Sequence, residues 1–295
     1  MPVDIQTPYV GQPIVAKDSF FRRLPHVLEP SQKLRFEALV LSADTLEYAF
    51  QNMREVATRC GYQIDRVSSR DRTALLSSAW TIVDHLHAAR QLIPHFFRDE
   101  PGPVTKAFLA TTEVAQHFRN KMDHLNSNIG NLSKSKKLRT PLFGALSYFV
   151  TDEYRITSVG PELVNGYIMT IMAGSIFGGE HLPAVNPVGH GVAAPVDLFQ
   201  LSGYGETLLL GTPLSMLSKI LAGLEKDAET QIRIGVERLS AEKGIPVDEL
   251  SGHHGGGLVV AVKVQFGPLA EADSPLGLSL TSASESGTPS LEPER

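Results

Sequence analysis

The hydrophobic pattern of this chain changes once along its length, close to residue 140, and that change limits the folds it can adopt. Before this point, apolar residues recur every three or four positions, which is the period of an amphipathic α-helix. After it, short runs of β-branched and aromatic residues alternate with glycine and proline, which is typical of strands joined by turns. The sequence therefore predicts an α+β fold, in which an N-terminal antiparallel helical bundle is followed by a mostly antiparallel β-sheet domain with one long helix.

The first half of the chain is predicted to hold three long helices. The first two cover about 31–60 and 71–96, and the third follows a break at 101–103, with its apolar side over 114–132. Short connections join them, which favours an antiparallel bundle over residues 31–140. Residues 1–30 contain five prolines and show no helical period. We therefore expect an extended N-terminal arm there.

The second half is predicted to be a β-rich domain over residues 141–267. Thr212 before a proline is a favourable helix start and Gly244 a favourable end, so one long helix is expected at about 213–243. Residues 268–295 are acidic and rich in serine, proline and glycine, which predicts a disordered tail. The predicted strands cover residues 145–151, 154–159, 166–177, 196–201, 206–210 and 258–266.

The composition excludes several classes of protein. Of the 295 residues, 42% are apolar and 20% are charged, which excludes wholesale disorder, a collagen and a coiled-coil rod. We see neither an apolar run long enough to span a bilayer nor a secretory signal, so we expect a cytoplasmic protein without a membrane partner. Cys60 is the single cysteine, which excludes an internal disulfide and a cysteine-rich zinc site. We expect no metal and no cofactor.

Positive charge is concentrated between residues 119 and 139, although the net charge of the chain is −5. A single acid, Asp123, lies among these bases. A solvated helix end and loop is the plain interpretation, and a surface that contacts phosphate groups is the alternative. The bases are Arg119, Lys121, Lys134, Lys136, Lys137 and Arg139.

A short motif opens this basic segment. Arg119 is followed directly by Asn120, and His124 comes five positions after the arginine. In this motif and its helical context the chain resembles the HEPN superfamily, small helical domains found in many bacterial and archaeal ribonucleases and toxins. The resemblance covers roughly residues 31–135. Beyond Pro141 strands are predicted, where a HEPN bundle usually has a further helix.

The resemblance implies a metal-independent endoribonuclease in defence or stress response, which dimerises and lines a shared cleft with both copies of the motif. Arg119, Asn120 and His124 would be catalytic, with Asn120 orienting the backbone or His124. Their chemistry suits the reaction, because histidine transfers protons near neutral pH and the planar guanidinium matches two phosphate oxygens. RNA would be the partner, in a homodimer, and the product would carry a 2′,3′-cyclic phosphate. The RNA backbone would be held by Lys121, Lys134, Lys136, Lys137 and Arg139.

One straight helix would not bring the two motif residues together, since Arg119 and His124 lie about 140° apart around its axis. The reach of arginine, a kink or a two-fold dimer would each do so. Arg119 also has the spacing for an i,i+4 ion pair with Asp123, an equally supported interpretation. The polar face of this helix is expected to comprise His117, Asn120, Lys121, His124, Ser127, Asn128 and Asn131.

The second helix adds two observations. Asp84 has the chemistry to pair with Arg119 or His124, although a local contact with a histidine of its own helix is favoured. Arg90 and His95 repeat the spacing of the motif, but the proline between them indicates a helix end.

The same residues also allow a function of another class. The chain would then be a non-catalytic HEPN-like dimerisation or binding module, whose β domain holds a partner or ligand. Salt-dependent RNA affinity would favour the RNA-cleaving or RNA-binding protein. A stable dimer without RNA affinity would favour the module.

Overall fold

The first half of the chain forms helices, and the second half forms a sheet and one long helix, which confirms the predicted α+β fold. The computed structural model describes residues 9, 13–25, 28–97, 99–134, 141–151, 166–172, 184–186 and 196–250, all within one compact unit over residues 1–256. Its strands are β1 (Ala145–Thr151), β2 (Gly166–Met172), β3 (Val196–Gly203) and β4 (Glu206–Leu209). Its helices are α1 (Pro30–Cys60), α2 (Ser69–Leu92), α3 (Pro103–Thr111), α4 (Glu113–Asp123), α5 (Leu125–Lys134), α6 (Gly211–Lys243) and α7 (Val247–Leu250).

The ends of α1 and α2 are set by residues that satisfy the terminal backbone groups. At the start of α1, the Glu29 carboxylate accepts a hydrogen bond from the Gln32 N–H at 3.0 Å. Gly61 ends the helix with a φ of +56°, which glycine tolerates. Ser68 and Asp71 form a reciprocal capping box at the start of α2, with hydrogen bonds of 3.1 and 3.2 Å. The two helices begin one and two residues before their predicted starts.

The third predicted helix is not continuous, and this corrects the expectation of one long element. It is divided into α3, α4 and α5 at Thr112 and His124. The Thr112 hydroxyl donates to the Phe108 carbonyl at 2.7 Å. At the second break, the Asn128 side-chain amide donates to the Lys121 carbonyl, which a continuous helix would pair with the N–H four residues on. Side-chain hydrogen bonds to the backbone accompany both interruptions.

The four described strands form an antiparallel sheet in the order β2-β1-β3-β4. The turn between β3 and β4 has Tyr204 and Gly205 at its centre, with φ of +54° and +86°. Two consecutive residues with positive φ are typical of a type I′ hairpin, whose twist matches that of the strands. The predicted strands at 154–159 and 258–266, and the predicted acidic tail, lie outside the described residues.

The helices and the sheet share one hydrophobic core. Phe50 of α1 contacts Phe199 of β3 edge to face, with ring centroids 5.7 Å apart, and Tyr148 of β1 lies 5.4 Å from the same ring. Every residue of β1 is buried. The N-terminal segment joins this core through Tyr9, Ile14, Val15, Phe21 and Leu24, although the sequence predicts an extended arm there.

The long helix of the second half is confirmed as α6. Its first turns are buried against the core through Leu214, Leu217 and Leu221, and Gly244 ends it with a φ of +67°. Among the described helices, none combines the length and the apolar composition that crossing a membrane requires.

Candidate functional site

Arg119 on α4 is tied to a carboxylate of the neighbouring helix α2. Its Nη1 lies 2.6 Å from Asp84 Oδ1, and its Nε lies 3.2 Å from Asp123 Oδ1 on its own helix. Asp84 therefore contacts Arg119, and the local contact that the sequence favours is wrong for this carboxylate. The i,i+4 pair with Asp123 is confirmed. The hydrogen bond that Arg119 donates to Asp84 raises the pKa of Arg119 above its ordinary value, so the guanidinium is charged at neutral pH.

Two histidines of α2 flank this ion pair in a partly buried position. Burial lowers the pKa of both His85 and His87, and the charges of Arg119 and Arg90 lower that of His87 further. Among the described residues, the Nδ1 atom of each is buried without a hydrogen-bond partner. Both imidazoles are thus favoured in their neutral form. The spacing of Asp84 and His87, one helical turn apart, was the sequence signal for this cluster.

His124 lies in the junction between α4 and α5, with an exposed side chain. Its N–H donates to the Asn120 carbonyl at 3.3 Å, and its own carbonyl accepts from the Asn128 N–H at 3.0 Å. Within one chain, the described interactions include no hydrogen bond between Arg119 and His124. The helix is nevertheless interrupted at His124. The divergence of Arg119 and His124 that is expected for one straight helix therefore does not apply here.

A cavity of about 450 Å³ lies between α4 and the β3–β4 hairpin. His117 Nδ1 on the helix lies 3.5 Å from Glu206 Oε1 on the hairpin, and this contact spans the cavity walls. Two predicted site residues, Asn120 and Lys121, line the cavity, whereas Arg119 and His124 do not. The lining residues are His117, Phe118, Asn120, Lys121, Tyr204 and Glu206.

The sequence pattern did not identify the hairpin residue Tyr204 as part of the site. Tyr204 lines the cavity, and its hydroxyl donates to the carbonyl of Leu142. A bulky residue at positive φ is an outlier in backbone geometry, because its Cβ approaches the backbone closely. Glycine on both sides was the available signal for a tight turn, but nothing in the sequence placed that turn beside α4.

Asn128, which was predicted on the polar face of the helix, is buried, and its side-chain amide donates to the Lys121 carbonyl. This corrects its expected exposure. The remaining predicted site residues are bases that follow it in the chain. Lys134 is the last residue of α5. The other three predicted phosphate-binding bases, Lys136, Lys137 and Arg139, lie outside the described residues.

The second pair with the motif spacing is Arg90 and His95. The α-helix α2 changes to a 3₁₀ turn between these two residues. The Arg90 guanidinium donates to the Leu109 carbonyl. His95 belongs to a 3₁₀ turn, Ile93–Phe96, that follows α2. The predicted helix end is thereby confirmed, and the pair offers a matched control for the motif on α4.

In the described part of the chain, His, Cys, Asp and Glu side chains form no group of three or more that is able to hold a metal ion. Comparison with known proteins gives no relative: no family model, no curated protein and no solved structure matches the chain.

Proposed function

We propose that the chain is an RNA-binding protein that cleaves RNA without a metal, and that it acts as a homodimer. The observation that carries this proposal is the end of α4. There Asn120, Lys121 and His124 are exposed within five consecutive positions, next to an Arg119 anchored by Asp84. An amide, an ammonium, an imidazole and a guanidinium on one short stretch form a set suited to a phosphodiester.

The reaction would be an internal transesterification of the RNA backbone. The 2′-oxygen attacks phosphorus and loses its proton to a base, and the 5′-oxygen leaves with a proton from an acid. His124 would carry one proton, and Arg119 would stabilise the charge on the phosphorane. Two proton transfers need two groups. A two-fold dimer would supply the second as His124 of the other copy.

Arg119 would reach a phosphate by exchanging one of its two partners. The contact with Asp123 is the longer one, and 52% of the Asp123 side chain is exposed. Exposed ion pairs of this kind contribute about 0.2–1 kcal/mol, so an RNA phosphate is able to displace it. Asp84 would keep the guanidinium in position meanwhile.

Affinity for RNA would depend strongly on salt. The chain carries a net charge of −5, so attraction to phosphate has to come from local bases such as Lys121 and the predicted segment 134–139. Each phosphate neutralised releases counterions, and binding weakens as salt rises.

The test of binding uses fluorescence anisotropy with a labelled single-stranded RNA over a series of salt concentrations. We expect Lys121→Ala to weaken binding and to flatten the salt dependence by about one phosphate contact. Lys226→Ala, which removes an exposed lysine of α6, is the matched control and should bind as the wild type does. Absence of RNA binding at low salt would contradict the proposal.

A second candidate function is a non-catalytic dimerisation or binding module. The observation in its favour is that Arg119 already contacts two carboxylates, Asp84 and Asp123, so the guanidinium has a structural role without RNA. A stable dimer in sedimentation, combined with no salt-dependent RNA affinity, would select this function.

A further inference from the structure

The cavity beside α4 has two walls of different chemistry. The helix wall presents His117, Asn120 and Lys121. The hairpin wall presents Tyr204 and Glu206. A volume of about 450 Å³ lies in the range of small-molecule sites, which is about 300–1,000 Å³.

Glu206 decides which part of a ligand is able to enter. The carboxylate accepts hydrogen bonds and repels phosphate, so the group that meets it has to be a donor. His117 Nδ1 lies 3.5 Å from Glu206 Oε1, and 42% of the Glu206 side chain remains exposed. A neutral ligand with neighbouring N–H groups fits this wall.

Asn120 and Lys121 supply the opposite wall with complementary groups. An asparagine amide both donates and accepts, which suits the edge of a nucleobase. Both side chains are exposed, so the Lys121 ammonium is accessible to a backbone phosphate outside the cavity. The arrangement therefore favours a base inside and a phosphate at the mouth.

Tyr204 gives the cavity an aromatic surface that is held in place. Its ring is half-buried, its hydroxyl is engaged by Leu142, and its backbone is constrained by the tight turn. A base gains stacking energy on a ring of this kind whatever its identity. Selectivity would come from Glu206.

From these observations we infer that the cavity binds one nucleobase of a single-stranded RNA, and that guanine is the preferred base. Guanine presents two adjacent N–H donors on its Watson–Crick edge, which match the two oxygens of a carboxylate, whereas uracil flanks its one donor with carbonyl acceptors. This inference rests on the proposed function, because it names the part of the RNA that the site would recognise.

The test measures the affinity of the full chain for four labelled pentanucleotides at low salt. Each has uridine at four positions and guanosine, adenosine, cytidine or uridine at the centre. We expect the guanosine-centred RNA to bind about fivefold or more tightly than pentauridine. Glu206→Gln should abolish this preference, and Glu229→Gln, which alters an exposed glutamate of α6, should retain it. If Glu206→Gln does not fold, Asn120→Ala on the helix wall replaces it, with the same expectation.

The outcomes separate the two proposals. RNA binding that depends on salt but is equal for all four bases would overturn the base site and leave the proposed function standing. A guanine preference that survives in folded Glu206→Gln, or in Asn120→Ala where Glu206→Gln does not fold, would also overturn it, since the base would then lie elsewhere. No binding of any pentanucleotide or longer RNA would overturn the proposed function, and the base site with it.

Discussion

Arg119 Nη1 on α4 lies 2.6 Å from Asp84 Oδ1 on α2, and this ion pair links the two helices. Because Phe118 beside it is fully buried, the rotation of α4 about its axis is set by both a core residue and an ion pair. Asn120 and Lys121 consequently face the β3–β4 hairpin.

The energy of this ion pair should be small despite its short distance. Both side chains are more than a third exposed, at 41% and 44%, so solvent screens the attraction. We expect a double-mutant cycle with Arg119→Gln and Asp84→Asn to give a coupling of about 0.5 kcal/mol in urea denaturation. A coupling of zero would contradict an energetic contribution of the pair to stability.

The attachment of α4 to the core should depend chiefly on Phe118. Its side chain is 1% exposed and contacts Trp80 edge to face, with ring centroids 5.8 Å apart. Phe118→Ala should lower the free energy of unfolding by about 3–5 kcal/mol, because it leaves a cavity in a packed core. Ile64→Ala at a 78% exposed position is the control, and a similar loss for both would contradict this placement of α4.

Two glycines with positive φ should respond differently to alanine. At Gly144 a Cβ atom would lie 2.6 Å from the Ser202 backbone oxygen, whereas at Gly205 it would meet open space. Gly205→Ala should therefore cost only the conformational strain, about 1 kcal/mol. Gly144→Ala should cost about 3 kcal/mol or more, because β1 and β3 also have to separate. Equal losses in thermal denaturation would contradict the strand register.

The neutral histidines of α2 predict a loss of stability in mild acid. The pKa of His87 is lowered by burial and by Arg119 and Arg90, against the opposing charges of Asp84 and Asp123. Above its ordinary pKa of 6.5 the imidazole is neutral in both states and contributes nothing to the pH dependence. As the pH falls below 6.5, the unfolded chain binds the proton first, so the free energy of unfolding decreases.

The measurement is urea denaturation at pH 7.5 and pH 5.5. His87→Gln should reduce the decrease between these two values, because it removes one group that the folded state keeps neutral. His95→Gln, at an exposed position, should retain it. An unchanged decrease in His87→Gln would show that His87 does not contribute.

Hydrophobic periodicity predicted most of the fold. The strands β1 and β4 and the helices α1 and α6 lie within one or two residues of their predicted bounds. Gly244 ends α6 as predicted, whereas Leu210 and not the predicted Thr212 precedes its first residue. The two breaks at Thr112 and His124 were not predicted. They involve side-chain hydrogen bonds to the backbone, and such bonds leave the apolar pattern intact.

The site was predictable only where it lies on one helix. Asn120 and Lys121 were identified from α4 alone, and they line the cavity. Tyr204 and Glu206 approach them from a hairpin more than 80 residues away, and no periodicity reports such a long-range contact. The sequence named Asp84 as one possible partner of Arg119. It did not select this partner, because a pair between two helices depends on how α2 and α4 pack.

The activity proposed for the α4 site is cleavage of RNA by transesterification. The most direct measurement incubates purified protein with total RNA and a labelled tRNA pool in EDTA, and determines the chemical ends of the products. We expect 2′,3′-cyclic phosphate ends with the wild type and with His95→Ala. We expect none with His124→Ala or Arg119→Ala, when circular dichroism and melting temperature show that both are folded. Intact RNA with the wild type, or cleavage that persists in folded His124→Ala, would contradict the proposed activity.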